Sequence, residues 1–203
     1  TPRTYKYREI INQDNLKFPL IFKLNTKELT ISNNPIGKIK IINNSVELSK
    51  LMSELDNSSI LKDDIMIQTY VQGDNSKQFS YGGFIREGQE CAGIIVNQLR
   101  QYPQGISSLV VEVIDNNLRK QIMEIVNKFI KTINYSGFLE MEFKVSNGVL
   151  YLMDINPRPW GWVSILGEKY TNFNLLFSTS EKTTLNRNEN LCIWKSPIRN
   201  FIS

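Results

Sequence analysis

Asn147-Gly148 divides two runs of strand-forming residues, Gly137 to Val145 and Val149 to Ile155. Asn-Gly between such runs is the strongest short-range signal for a β-hairpin. Further strands are expected at Phe18 to Leu24, Lys38 to Ile42, Asp64 to Val71, Gln78 to Arg86, Ala92 to Leu99 and Leu191 to Trp194. Glu87-Gly88-Gln89 turns the chain between the fourth and fifth of these. Leu48, Leu51, Met52 and Leu55 recur at helical spacing behind Ser45, which is expected to cap that helix. Leu118, Ile122, Ile125, Val126, Phe129, Ile130 and Ile133 form the apolar face of a second helix, and Trp160 to Tyr170 is expected to form a third. Strands interspersed with helices, the last hairpin necessarily antiparallel, indicate an α+β fold rather than a doubly wound parallel sheet.

The hairpin carries acids where apolar side chains would be expected. Glu142 lies among Phe138, Leu139, Met141 and Phe143, and Asp154 among Tyr151, Leu152, Met153 and Ile155. Glu140 and Glu142 share one face of their strand by its period of two, as do Asp154 and Asn156 of theirs. Symmetric pairing about Asn147-Gly148 sets Glu142 opposite residue 153, next to Asp154, and a twist or bulge would bring Glu142, Asp154 and Asn156 around one ion. Oxygen donors of this kind suit a hard cation such as magnesium. The other reading is a solvated hairpin face whose acids pair with lysines.

Composition narrows the chemistry. The 203 residues contain no histidine, which excludes Ser-His-Asp and Cys-His catalysis, histidine-bound zinc and any imidazole base. Carboxylates, lysines, arginines and bound metal remain. A net charge of +4 suits a small anionic ligand, and no block of like charge or clustered arginine marks a nucleic-acid surface. No stretch has the roughly 18 apolar residues of a membrane span. Cys91 and Cys192 match no metal spacing, and a reducing cytoplasm is a simpler expectation than a disulfide.

The segment from Gly137 through Glu140, Glu142 and Lys144, a hairpin turn, and then Leu152-Met153-Asp154-Ile155-Asn156-Pro157-Arg158 resembles the metal-binding hairpin of ATP-grasp enzymes, in particular their carboxylate–amine ligase and carbamoyl-phosphate-synthase-like branch. The second acid follows Glu142 by twelve residues, as in that family. Upstream, Phe18 to Lys23 resembles the strand bearing the first nucleotide-binding lysine, and Lys38 the second, with Lys40 as its alternative. Ile67-Gln68-Thr69-Tyr70-Val71-Gln72-Gly73-Asp74 is similar to the family's hinge strand.

The resemblance implies an ATP-grasp fold of two α+β lobes with a nucleotide cleft between them. Residues 1–68 would form the smaller lobe, with a phosphate-covering loop at 25–37. Residues 69–203 would form the larger one, with the metal hairpin at 137–158. It implies ATP and Mg2+, or Mn2+, as cofactors. Lys23 and Lys38 would meet the phosphates, Gln68, Thr69, Tyr70 and Val71 the adenine edge, and Asp74 the ribose. Glu142, Asp154 and Asn156 would hold the metal, and Arg158 would act on the transferred phosphoryl group. The implied activity is carboxylate–amine or carboxylate–thiol ligation through an acyl phosphate, with small carboxylate and amine substrates and neither nucleic acid nor membrane as partner. It also implies a preceding substrate domain outside this chain, with association with that domain or a homodimer left open. The alternative is a non-catalytic ATP-binding module. The pattern departs from the family at Asp154, where glutamate is usual, and at Thr69, which replaces a common hinge glutamate.

Overall fold

In a computed structural model, the structure describes residues 1–10, 13, 15–24, 34–37, 39–73, 75–102, 106–177 and 185–196. Two compact units emerge, Thr1–Gln72 and Gly73–Ser203, against an expected division at 68/69. Residues 65–69 form a strand within the first unit's sheet, which carries that unit past residue 68.

In the first unit the elements run β1 (Thr4–Tyr5), α1 (Tyr7–Ile10), β2 (Leu20–Leu24), β3 (Ile39–Ile42), α2 (Ser45–Asp56) and β4 (Ile65–Thr69). The strands make one antiparallel sheet in the order β1-β4-β2-β3. Alternation along β2 sends Leu20 and Phe22 into a core with Ile42, Leu51, Leu55 and Ile67, and leaves Ile21 and Lys23 on the other face. The α2 cap is Asn44 rather than Ser45: its Oδ1 accepts from the Glu47 N–H at 2.9 Å. Glu47 reaches back to accept from the Asn43 N–H at 2.9 Å. Glu47 stands three residues beyond Asn44, the spacing a capping box needs, and this selects Asn44 over its neighbour.

The second unit continues with β5 (Gln78–Arg86), β6 (Gln89–Gln101), β7 (Ser107–Glu112), α3 (Asn116–Thr132), β8 (Gly137–Ser146), β9 (Val149–Asn156), α4 (Ile165–Lys169), β10 (Tyr170–Thr171), β11 (Asn186–Arg187) and β12 (Ile193–Lys195). Six strands form an antiparallel sheet in the order β12-β7-β6-β5-β8-β9, and β10 pairs with β11. One face packs Tyr81, Met141 and Phe143 against Ile122, Val126 and Ile130 of α3. The other packs Ala92, Ile94, Val96 and Val110 against Trp160, Trp162, Ile165 and Leu166. α3 starts where Asp115 Oδ1 accepts from the N–H groups of Asn117 and Leu118.

Two elements differ from expectation. β7, which the patterning does not single out, is a full member of the sheet, paired with both β6 and β12. The stretch expected as a helix from Trp160 is α-helical only over Ile165–Lys169. Before it the N–H groups of Val163, Ile165 and Leu166 donate three residues back, to Trp160, Trp162 and Val163. Those tighter turns bury both indoles, which an α-helix would place about 200° apart around its axis. Both cysteines are free thiols, and no helix among the described residues is long and apolar enough to cross a membrane.

Candidate functional site

The β8–β9 hairpin begins with a two-residue turn in which Asn147 (φ 49°) and Gly148 (φ 74°) are both left-handed, the geometry that Asn-Gly tolerates best. Pairing is symmetric from Ser146↔Val149 to Phe143↔Leu152, and then the register shifts. Met153 is the extra residue of a β-bulge, so Glu142 pairs with Asp154, Met141 with Ile155 and Glu140 with Asn156. Symmetric pairing had set Glu142 one residue away. The bulge brings all four polar residues onto one face, opposite the side on which Met141 and Phe143 enter the core.

Asn156 sits between two acids: its Nδ2 donates to Glu140 Oε2 and to Glu142 Oε1, each at 3.4 Å. Glu140 is 4 % exposed and Asn156 is also buried, while Asp154 is exposed and its Oδ1 accepts from the Ile155 N–H at 2.9 Å. Burial pushes the Glu140 carboxyl up to about 7, and the charge of Glu142 adds to this. Arg158 and the Asn156 amide oppose the rise, and Asp154 adds slightly to it. Arg158 is exposed, its Nη1 donating to Pro159 O at 2.9 Å and its backbone N–H to Asn156 O at 2.9 Å.

A buried carboxyl whose ionised form is this disfavoured would be relieved by a cation, and the oxygen donors beside it fit a hard one. Among the described residues no three Asp, Glu, Cys or His side chains converge closely enough to hold an ion by themselves. A ligand set here therefore draws on the Asn156 carboxamide, which lies between Glu140 and Glu142. Glu140 itself was legible in the sequence through its period-two relation to Glu142, but not as a buried group.

The face extends across the sheet through residues that patterning does not mark as functional. Ser80 pairs with Glu142 and accepts a hydrogen bond from Gln98 Nε2. Gln98 Oε1 in turn accepts from Gln101 Nε2 at 2.7 Å, and Arg100 Nε donates to Ser108 Oγ at 3.0 Å. Trp160 and Trp162 are buried over Gly82, which pairs with Glu140.

In the first unit, Lys23 lies on the sheet face opposite the core. Register puts Met66 and Ile39 beside it, and Ile21, Gln68 and Ile41 one pair further along. Gln68 Nε2 donates to Thr4 Oγ1 at 3.1 Å, while its Oε1 is buried with no hydrogen-bond partner. Among the described residues this face offers one ammonium, one unmatched amide oxygen and an apolar surface that includes the exposed Ile39 and Ile41. Lys40 turns the other way: its Nζ donates to Pro35 O at 2.9 Å and lies 3.5 Å from Glu54 of α2. The N–H groups of Thr69 and Tyr70 already donate to Arg3 O and Pro19 O, each at 2.9 Å, and Val71 is buried. Lys38, Asp74 and residues 25–33 of the expected covering loop lie outside the described residues.

No family model and no curated protein sequence matches the chain. Solved structures do. A biotin carboxylase from Campylobacter jejuni in a β,γ-ATP complex is 14 % identical at a TM-score of 0.62, over 87 % of this chain and 41 % of its own. D-alanine-D-alanine ligase from Helicobacter pylori is 20 % identical at 0.55, over 82 % and 48 %. The biotin carboxylase domain of Hydrogenobacter thermophilus 2-oxoglutarate carboxylase, in complex with MgADP, is 18 % identical at 0.54, over 76 % and 34 %. The chain spans less than half the length of each, and identities this low carry architecture rather than activity. In architecture this chain shares the ATP-grasp fold of these structures.

Proposed function

We propose that the chain binds ATP with magnesium and forms the nucleotide-handling part of a ligase joining a small carboxylate to an amine. The observation that carries this reading is the bulged register that opposes Glu142 to Asp154, with Asn156 and Glu140 on the same face. Glu142, Asp154 and Asn156 would hold the metal, with the buried Glu140 behind them. The metal would neutralise phosphate charge. Lys23, with Lys38, supplies compact ammonium charge for the phosphates. The apolar face around Lys23 and the unmatched Gln68 Oε1 suit the base, with Thr69, Tyr70 and Val71 along its edge and Asp74 at the ribose.

In the reaction, a substrate carboxylate oxygen bonds to the γ-phosphorus and ADP leaves with the bridging electron pair. The amine nitrogen then bonds to the acyl carbon, inorganic phosphate leaves, and the nitrogen gives up its proton. Arg158 stands at the end of the hairpin, where its planar donors can meet the transferred phosphoryl oxygens. A thiol acceptor, a preceding substrate domain and a cytoplasmic setting belong to the same proposal.

A second reading, nucleotide binding without turnover, is favoured by Asp154: its carboxylate is exposed and one oxygen is bound to its own strand's backbone. Calorimetry with a non-hydrolysable ATP analogue, with and without magnesium, tests the shared claim. We expect magnesium-dependent binding that weakens at least about tenfold in Asp154→Asn (about 1.4 kcal/mol). Absence of binding at millimolar nucleotide would refute both readings. ADP release that rises with a carboxylate–amine pair separates the ligase from the module.

A further inference from the structure

At the opposite edge of the six-stranded sheet lies a cavity of about 270 Å³ in the second unit. Its buried floor is an ion pair: Lys169 Nζ donates to Glu112 Oε2 at 2.8 Å, with the two side chains 3 % and 5 % exposed. This pair is satisfied within the fold. Glu112 Oε2 also accepts from the Cys192 N–H, Oε1 accepts from Arg187 Nη2 at 3.3 Å, and Lys169 Nζ donates to Asn190 O. A floor so fully bonded is a fixed surface.

The walls are less satisfied. Among the described residues, Arg187 uses one of its five guanidinium N–H donors, on Glu112. Arg119, half-buried in the first turns of α3, lines the same cavity, and its guanidinium makes no hydrogen bond or ion pair among the described residues. The charges of Arg187 and Arg119 both favour the ionised form of the Glu90 carboxyl. Glu90 is itself bonded to the Tyr81 hydroxyl at 2.6 Å, and its carboxyl is pushed up by burial more than the arginines pull it down. Arg119, Lys169 and Arg187 line the cavity against Glu112 and Glu189, an excess of one positive charge that favours a single anionic group there. Ile114 and Leu191, 76 % and 52 % exposed, add an apolar lip, and Glu189 lies at the same lining.

We propose that this cavity is a second small-molecule site, taking an organic carboxylate with a short apolar tail. The carboxylate would lie between Arg119 and Arg187, whose planar forks match it in a bidentate manner. The tail would cover Ile114 and Leu191. Glu189 disfavours a multiply charged anion, which separates this site from a phosphate site. β7, which supplies Glu112, stands four strand spacings from β9 in the sheet order, about 19 Å at about 4.8 Å each. The site is therefore distinct from the hairpin acids, and its test needs neither nucleotide nor magnesium. Its failure would leave the ATP reading untouched.

The experiment is a methyl-resolved NMR titration of the chain with isovalerate, with valine as the same skeleton bearing an ammonium, and with inorganic phosphate. We expect saturable shifts at Ile114 and Leu191 with isovalerate, and affinity at least about tenfold weaker in Arg119→Gln (about 1.4 kcal/mol). Arg119→Gln removes no side-chain hydrogen bond or ion pair among the described residues, and a retained native methyl spectrum checks that the variant is folded. Arg187→Gln should weaken binding in the same direction. Valine binding more tightly than isovalerate supports the site, with Glu189 meeting the ammonium. Absence of saturation, an unchanged affinity in Arg119→Gln, or phosphate binding more tightly than isovalerate would overturn the proposal.

Discussion

Replacing Gly82 by alanine should destabilise the second unit by about 3 kcal/mol, the upper end of what overpacking a core costs. Gly82 lies mid-strand in β5, paired with Ile94 on one side and Glu140 on the other, so its backbone has little room to retreat. A Cβ there would fall 2.3 Å from Cζ2 and 2.6 Å from Cε2 of Trp160, and 2.8 Å from Cη2 of Trp162. Carbon atoms rest at about 3.5–4.0 Å, so a buried indole would have to move by more than about 1 Å. Trp162 is 1 % exposed and Trp160 4 %, which leaves neither ring an open direction. The assay is urea unfolding of a double-mutant cycle with Trp160→Phe, which by itself should cost about 2 kcal/mol through the cavity it leaves. The pair should cost at least about 1 kcal/mol less than the sum of the singles, since the smaller ring makes room for the methyl. Costs that add within about 0.5 kcal/mol, or a single variant as stable as the parent, would refute the claim that this glycine exists to seat the indole.

Glu140→Gln should change the pH dependence of stability in magnesium-free buffer. A carboxyl raised from 4.5 to about 7 binds its proton more tightly when folded, so the parent loses stability as pH rises through that window. The variant, which has no such titration, should gain about 3 kcal/mol on the parent by pH 8 and almost nothing at pH 4; a pH-independent difference in denaturant midpoint would show that Glu140 ionises without penalty. Lys169→Met should cost about 3 kcal/mol, because it leaves the Glu112 carboxylate buried with only the partly exposed Arg187 beside it. Adding Glu112→Gln should recover more than half of that loss in thermal or urea unfolding, and a double variant no better than the single would contradict a charge-based cost.

Residues close in sequence spoke clearly. Asn147-Gly148 marks its hairpin because few other residues tolerate two consecutive positive φ values, and Leu51 and Leu55 lie on the buried face of α2 through i to i+4 spacing. The α+β class follows from the same short-range patterns. β7 escaped because Leu109 to Val111 is a short apolar run between a Pro/Gly/Ser loop and a long helix, and its partners lie in β6 and β12.

The β8–β9 hairpin shows where local information ends. Period two already placed Glu140 with Glu142 and Asp154 with Asn156, since alternation is a property of a single strand. The bulge at Met153 is a property of two strands packed together, and only it sets Glu142 opposite Asp154. Glu140's burial, the turning of Lys40 toward Glu54, and the meeting of Arg119 with Lys169 and Arg187 in one cavity likewise join residues distant along the chain. Sequence by itself determined which residue types could face one way. Tertiary packing decided what they face, because desolvation and register depend on neighbours that no local window contains.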